Sequence, residues 1–264
     1  MEGQAIKVHL VSATPDPLGA IAAACRMYEG KPTYDLDDVT DDERRNAWQQ
    51  VQDTHLKAPL EFVDLHFFIE GVTRAFTHQM VRQRTAVYAQ ESLRFAVKED
   101  IAARPGPIVS QDRKLLECWT GAMEDVWERY QWMIANGVPA EEARGLLPHD
   151  TLTRLNYKTN LRNLLEHAGN RLCTQAQFEW RMVFLGIVHA INSYEGYGTK
   201  WNEWQWELIS ESGVFKPVCF QVGHCPFNAS FDRGCTIKPR VEAGKFDEIK
   251  PEEYMADPTA GWVR

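Results

Sequence analysis

The chain reads as an α+β protein. Three short stretches, Lys7–Thr14, Glu61–Glu70 and Thr151–Thr159, have the length and apolar patterning of strands, and between them lie segments whose apolar residues recur at helical spacing. The two periods are separable because side chains alternate across a strand but return to one face of a helix after each turn. With 264 residues and 44% hydrophobic content, the chain can bury the core of one large domain, or of one domain with an appendage.

Lys7–Thr14 is the first expected strand. The T-P-D-P segment then supplies Asp16 as N-cap and Pro17 as first helical residue for a helix over Leu18–Tyr28, stopped near Gly30. Thr40 and Glu43 form a capping box that starts a polar-faced helix from Asp41 to about His55. In Glu61–Glu70, Val63, Leu65, Phe67 and Ile69 alternate with Asp64, His66 and Glu70, the mark of a half-buried strand. Val72–Gln83 suits a helix with Val72, Phe76 and Met80 on one face and Arg74 and His78 on the other.

Pro105-Gly106-Pro107 marks a loop. After it, Gln111–Asn136 carries Leu115, Trp119, Met123, Val126, Tyr130 and Met133 at helical spacing, with Gly137 as the stop. Pro139–Leu146 reads as a short helix ended by Pro148, Thr151–Thr159 as a strand, Asn160–Gly169 as a capped helix and Ala176–Asn192 as an apolar helix. From Trp201 the character changes to a tryptophan-rich, then cysteine-containing and turn-rich segment to Ile237, followed by an acidic tail to Arg264. The division expected is a catalytic domain over 1–200 and a C-terminal extension over 201–264.

The formal net charge of −8 argues against a general nucleic-acid binder, which needs net positive surface to displace counterions from phosphates. No apolar run reaches the roughly 18–20 residues of a membrane span, and the N-terminus lacks a basic run followed by an apolar core, so a cytoplasmic chain is expected. Six cysteines in a chain of this length, without a secretory signal, are expected to be reduced thiols. Cys25 and Cys173 lie in apolar helical surroundings and read as core residues. Cys219, His224, Cys225 and Cys235 form C-x4-H-C-x9-C, four soft ligands without the C-x2-C knuckle usual in structural zinc sites, and the expectation is no metal.

The densest chemistry lies in Arg82–Phe95, R-Q-R-T-A-V-Y-A-Q-E-S-L-R-F. A planar guanidinium binds phosphate or carboxylate through two parallel hydrogen bonds, so Arg82, Arg84 and Arg94 together make an anion site; the plain alternative is a solvated charged turn. The stretch resembles the signature R-H-R-x-x-S-x-N-E-x-S-x-R of flavin-dependent thymidylate synthases, with Arg82, Arg84, Ser92 and Arg94 in register. It departs at Gln83 (His), Val87 (Ser), Ala89 (Asn) and Gln90 (Glu). The similarity extends to Gly71–Gln79, to Ala143-Arg144 with Leu147-Pro148, to Thr153-Arg154, Asn160, Arg162 and Arg171, and to Ala176-Gln177 and Glu179, in the family's order over about residues 7–195.

The resemblance implies an α+β fold with a mixed sheet and long helices. It implies transfer of a one-carbon unit from methylenetetrahydrofolate to C5 of dUMP, giving dTMP, with FAD as cofactor, NADPH as reductant, and a homotetramer whose sites draw on several subunits. Carried over by residue, Arg82, Gln83, Arg84, Gln90, Asn160 and Arg162 bind the flavin. Gln79, Arg82, Ser92, Leu93, Arg94, Arg144 and Arg171 bind the nucleotide, and Arg171 and Ser92 are the catalytic residues. Asn160 reads equally as the plain N-cap of its helix. Gln83 keeps a neutral hydrogen bond but cannot be protonated, and Glu91 is placed to replace the missing carboxylate at Gln90 if the loop shifts by a residue. Lys57, with His55 nearby, stands where the family has a histidine before Pro59 and Glu61. These departures leave two other readings open: a variant that methylates or hydroxymethylates another pyrimidine nucleotide such as dCMP or UMP, and a catalytically silent nucleotide-binding paralogue.

Overall fold

A computed structural model describes residues 5–99, 102–196, 202–227 and 235–254. Strand β1 (Lys7–Ala13) leads into helix α1 (Pro17–Tyr28), which opens as the sequence requires: Asp16 accepts the Gly19 amide at 2.9 Å, and Pro17 sits in the first turn. Helix α2 (Asp41–Asp53) starts from the Thr40–Glu43 capping box. Its Arg44 reaches back to Asp16 at 2.6 Å, so the cap of one helix is also the ion-pair partner of the next.

Strand β2 (Asp64–Thr73) starts three residues later than expected, because Ala58–Phe62, with Pro59 in its first turn, winds into a 3-10 helix. The alternation holds: Val63, Leu65, Phe67 and Ile69 are fully buried, while His66, Phe68 and Glu70 are only half-buried. The strand also runs further than expected. Val72 pairs with Thr153 and Thr73 with Leu152, and helix α3 (Arg74–Met80) begins two residues into the stretch read as helix, capped by the Thr73 hydroxyl on the Phe76 amide at 3.1 Å. Gly71 makes the change of direction. The register of β2 shifts between Glu70 and Val72, and Gly71 has φ +70°, the left-handed conformation of a glycine-type bulge.

Strand β3 (Val87–Gln90) lies inside the arginine-rich stretch and was not visible as a strand, since four residues carry too little alternation to read. The loop expected at Gly106 gives way to a short helix α4 (Pro107–Gln111), where proline's missing amide costs nothing in the first turn. Helix α5 (Arg113–Ala135) is capped by Asp112 and followed by Gly137 at φ +82°. Helix α6 (Ala140–Ala143) continues as a 3-10 turn over Arg144–Leu146. Then come strand β4 (Leu152–Asn160), helix α7 (Leu161–Arg171) and helix α8 (Phe178–Asn192).

The sheet order is β1-β2-β4-β3, and every pairing among the described residues is antiparallel, which corrects the expected mixed sheet. The chain re-enters the sheet at the end where it left β1: Ala13 faces Leu65, and the Thr14 amide donates to the Asp64 carbonyl. Helix α8 lies so close to β1 that a Cβ on Gly186 would stand 2.7 Å from Val8.

Helices α9 (Glu203–Glu211), α10 (Val218–Val222) and α11 (Lys238–Glu242) belong to the C-terminal segment. Trp206, Ile209, Val241 and Tyr254 join the same apolar cluster as α1 and α8, and the Leu18 amide donates to Gln205 at 2.8 Å. Trp201 and the tail beyond residue 254 lie outside the described residues.

Replacing Gly71 by alanine forces an L side chain into the left-handed region, at a cost of about 1–2 kcal/mol. Chemical denaturation of Gly71→Ala is expected to show that loss. Stability equal to wild type would mean that the bulge is not set by this conformation.

Candidate active site

The site grows from a buried carboxylate. Glu179, in the first turn of α8, is fully buried and accepts the Thr73 amide at 2.9 Å, the Thr73 hydroxyl at 2.5 Å, Gln177 Nε2 at 2.8 Å and Arg104 at 3.2 Å. Burial raises the Glu179 pKa, and the Thr73 and Arg104 contacts pull it back. Gln177 in turn accepts Gln79 Nε2 at 2.6 Å, and the Trp180 indole donates to Gln79 Oε1 at 3.4 Å. The Gln79 amide is thus fixed at both ends.

Arg171 closes this group from the end of α7. Its guanidinium lies 4.8 Å from the Trp180 ring centre, and its Nε donates to His167 Nε2 at 3.3 Å. Burial lowers its pKa, and no carboxylate pairs with it among the described residues. A partly desolvated guanidinium without a counter-ion is a preorganised acceptor of negative charge. His167 is buried against Trp180 at 4.6 Å, and burial, with Arg171 beside it, drives its pKa down to about 3. Its Nε2 accepts from Arg171, so the ring proton is on Nδ1, which has no partner.

A second cluster is cationic. Arg94 pairs with the Glu141 carboxylate at 2.9 Å, and Arg144 Nε donates to the Glu141 carbonyl at 3.0 Å, so two of the arginines expected to bind the nucleotide share one residue of α6. Ser92 lies in the same turn, accepting the Arg94 amide at 3.3 Å, and Leu93 is buried beneath it. Arg74 stands close enough to Arg144 for its pKa to be lowered, first by burial and then by that charge. Burial, then His149, Arg74 and Arg82, lower His78 likewise. In a chain of net charge −8 this is a concentrated positive surface.

The remaining signature residues divide. Arg82 and Arg84 are exposed, and their side chains make no hydrogen bond among the described residues. Gln83 is tied inward: its Oε1 accepts the Tyr88 and Tyr157 hydroxyls, each at 3.3 Å, and its Nε2 donates to the Asn163 carbonyl at 3.4 Å. Tyr88 stacks on Tyr157 at 5.5 Å, and burial pushes both phenols above their ordinary range. Gln90 donates to Thr77 at 2.9 Å, bracing α3 against β3. The Glu91 carboxylate is taken by Lys98 at 2.8 Å and Arg154 at 3.5 Å. Asn160 caps α7 through the Asn163 amide at 2.9 Å. Arg162 pairs with Glu61 at 2.6 Å and Glu166 at 3.0 Å, on the wall of a cavity of ≈ 530 Å³ that Lys57 and His55 also line.

The structure therefore brings Gln79 to Arg171 and Arg94 to Arg144 and Ser92, and places Asn160 and Arg162 at the opposite end of α7 from Arg171. Sequence reasoning missed Arg74, Arg104 and His167, and gave Gln177 and Glu179 no role. Arg74 had one usable signal, its position three residues after the glycine that closes the alternating strand pattern. Arg104 and His167 had none, since their importance comes from burial. Cys173, expected in the core, follows α7 and is only half-buried; Cys25 is buried as expected.

Residues 9–193 match the model of the family described as thymidylate synthase complementing protein. A flavin-dependent thymidylate synthase of Pyrococcus furiosus is 30% identical over 93% of this chain and 99% of its own length. One from Pyrococcus abyssi is 29% identical over 89% and 95% of the two chains, and one from Sulfolobus acidocaldarius 34% identical over 67% and 69%.

His167 makes a pH test of the site. An unfolded histidine titrates near 6.5 and the native one at about 3, so below about pH 6.5 only the unfolded chain takes up the proton. This contribution to stability is complete above the unfolded pKa and is lost as pH falls towards 3. Between pH 7 and 5 the stability advantage of wild type over His167→Gln is expected to shrink by about 2 kcal/mol. An advantage that stays constant across those pH values would show that His167 protonates in the folded chain.

Proposed function

Because the chain belongs to the thymidylate synthase complementing protein family, we propose that it is a flavin-dependent thymidylate synthase. It transfers a one-carbon unit from methylenetetrahydrofolate to C5 of dUMP, giving dTMP, with NADPH as reductant. The observation that carries this reading is the Arg171 guanidinium, held on the Trp180 ring whose indole donates to Gln79, with no carboxylate partner among the described residues.

The residues have distinct tasks in this reading. Arg94 and Arg144, with Arg74 behind them and Ser92 in the same turn, take the nucleotide phosphate, and the Glu141 carboxylate that now holds Arg94 gives way to it. Gln79, immobilised by Gln177 and Trp180, orients the base by a neutral hydrogen bond. Arg171 stabilises negative charge on the pyrimidine, and its anchoring to Trp180 and His167 means that it needs little reorganisation to do so.

The flavin fits the donor set: Arg82 and Arg84 are unengaged among the described residues and suit phosphate oxygens, whereas Arg162 must first release Glu61 or Glu166, and Asn160 has already spent its carbonyl as a cap. When bound, FAD supplies the reducing equivalents. The homotetramer is part of the same proposal. On α5 only Met123 and Tyr130 are buried, and Leu115 and Trp132 are 46% and 67% exposed, an apolar surface that neighbouring chains would cover. Residues 1–200 would then form the catalytic part and 201–264 the segment that braces α1 and α8. No helix among the described residues is long and apolar enough to cross a membrane, and we place the enzyme in the cytoplasm.

A second acceptor, dCMP or UMP, is favoured by the altered signature, in which Gln90 is committed to Thr77 where the family has a carboxylate. Incubation with methylenetetrahydrofolate, NADPH, FAD and each pyrimidine monophosphate in turn, followed by the mass of the nucleotide product, separates the acceptors. A gain of one methyl on dUMP alone supports the main reading, and absence of any product together with absence of bound flavin overturns it.

Arg171→Lys keeps the charge but loses the planar fork and its packing on Trp180. Product formation is expected to fall by roughly a hundred- to thousandfold while NADPH still reduces the flavin. Near-normal turnover would remove Arg171 from the mechanism.

Gln83→His tests the signature's main departure. If glutamine weakens the flavin site, the variant binds FAD more tightly in a fluorescence titration. Unchanged affinity would mean that Gln83, through Tyr88, Tyr157 and Asn163, is an adapted part of this chain's own framework.

A further inference from the structure

Four of the six cysteines meet just beyond the end of α7, where the C-terminal segment packs against it. Cys173 follows α7, Cys219 lies in α10, Cys225 follows it and Cys235 precedes α11; all four line one cavity, closed by Val218, Phe227 and Ile237. None is in a disulfide. His224, which the sequence pattern had grouped with three of them, is exposed and engages the Val222 carbonyl instead. Cys173 replaces it, from a part of the chain 46 residues before Cys219.

Two sulfurs already receive hydrogen bonds. The Thr174 hydroxyl donates to Cys235 Sγ at 3.0 Å, and the Gln175 backbone amide is bonded to Cys173. Donors aimed at sulfur inside an apolar cavity are of little use to a neutral thiol, but they stabilise a thiolate, as partners outside the ligand shell do at metal centres. The geometry also discriminates between metals. A zinc site needs its sulfurs about 2.3 Å from one centre, and among the described residues no three histidine, cysteine or acidic side chains are arranged to hold a single ion. An iron–sulfur cluster takes one thiolate at each of several irons, so its four sulfurs stand around the cluster and do not converge on a point.

We propose that Cys173, Cys219, Cys225 and Cys235 are the ligands of an iron–sulfur cluster, which joins the turn after Arg171 to the C-terminal segment. Ligation replaces four thiol protons, released to solvent, with four iron–sulfur bonds, and it transfers no electron. The cluster's position is structural. Arg171 ends α7 and Cys173 follows two residues later, so a centre at Cys173 pins the chain between the proposed catalytic guanidinium and Gln177. This inference goes beyond the synthase reading, because nothing in that chemistry calls for the cluster.

The test is quantitative iron and acid-labile sulfide analysis of full-length protein purified without air, with flavin measured separately. About four irons and four sulfides per chain are expected, as purified or after incubation with ferric iron, sulfide and excess thiol, the thiol reducing part of the iron to ferrous, followed by desalting. Cys219→Ser and Cys225→Ser should each lose the iron and sulfide, while Cys118→Ser, altered at an exposed cysteine outside the cavity, keeps both. Wild-type protein that retains no iron and no sulfide after that incubation overturns the proposal. So does stoichiometric zinc without sulfide, which would make the tetrad a single-ion site. The wild-type measurement stands even if a serine variant fails to fold.

Discussion

Glu179 is the point on which the arrangement turns. A carboxylate withdrawn completely from water loses several kcal/mol of hydration, and it remains ionised only if donors replace that water. Four do: the Thr73 amide, the Thr73 hydroxyl, Gln177 and Arg104. Each donor belongs to a different constraint. Thr73 is both the last residue of β2 and the cap of α3, Gln177 fixes Gln79, and Arg104 also reaches the Gly71 carbonyl at 2.5 Å, at the bulge itself. One buried charge therefore sets where the strand stops, where the helix starts and how the first polar side chain of the site is aimed.

Around that anchor, charge is distributed unevenly. The surface is acidic overall, yet Arg74, Arg82, Arg94 and Arg144 gather with His78 and His149 near the ends of α3 and α6. Mutual repulsion among these groups is energy that a bound anion would recover, and the Glu141 carboxylate offsets part of it at Arg94. Arg171 differs in kind. Its charge is stabilised by an aromatic face and a neutral imidazole, so it remains available to a partner that develops charge only during reaction.

Much of the fold was legible because it depends on short-range physics. The Asp16-Pro17 entry, the Thr40–Glu43 box, the Asn160 cap and the alternation through Val63–Ile69 are each decided by neighbours within one or two turns. The errors fall where a distant residue overrides local preference. Val72 fits a helical face, yet it is held in β2 by pairing with Thr153, and Val87–Gln90 becomes a strand only because β4 presents Lys158 to Leu155 opposite it. The sheet's antiparallel order follows from the end of the sheet to which each connection returns, which no local pattern announces. For the site, the motif residues were readable and their grouping was not. Nothing in the sequence says that Arg94 and Arg144 share Glu141, or that His167 sits under Arg171.

Helix α7 separates the signature stretch from Arg171. Its first turn meets the signature stretch: Asn163 accepts Gln83 through its carbonyl and donates its side-chain amide to the Thr85 carbonyl at 3.2 Å. Its last residue is Arg171. The helix has 11 residues, so these ends are separated by about 16 Å of rigid backbone, held at the start by the Asn160 cap and at the finish by Trp180. Gln83 is held at the first end by the stacked Tyr88 and Tyr157, and the guanidinium is held separately at the other. A divergent signature and an intact Arg171 are therefore mechanically compatible, because the element that connects them transmits position along its axis but not the identity of the side chain at its far end.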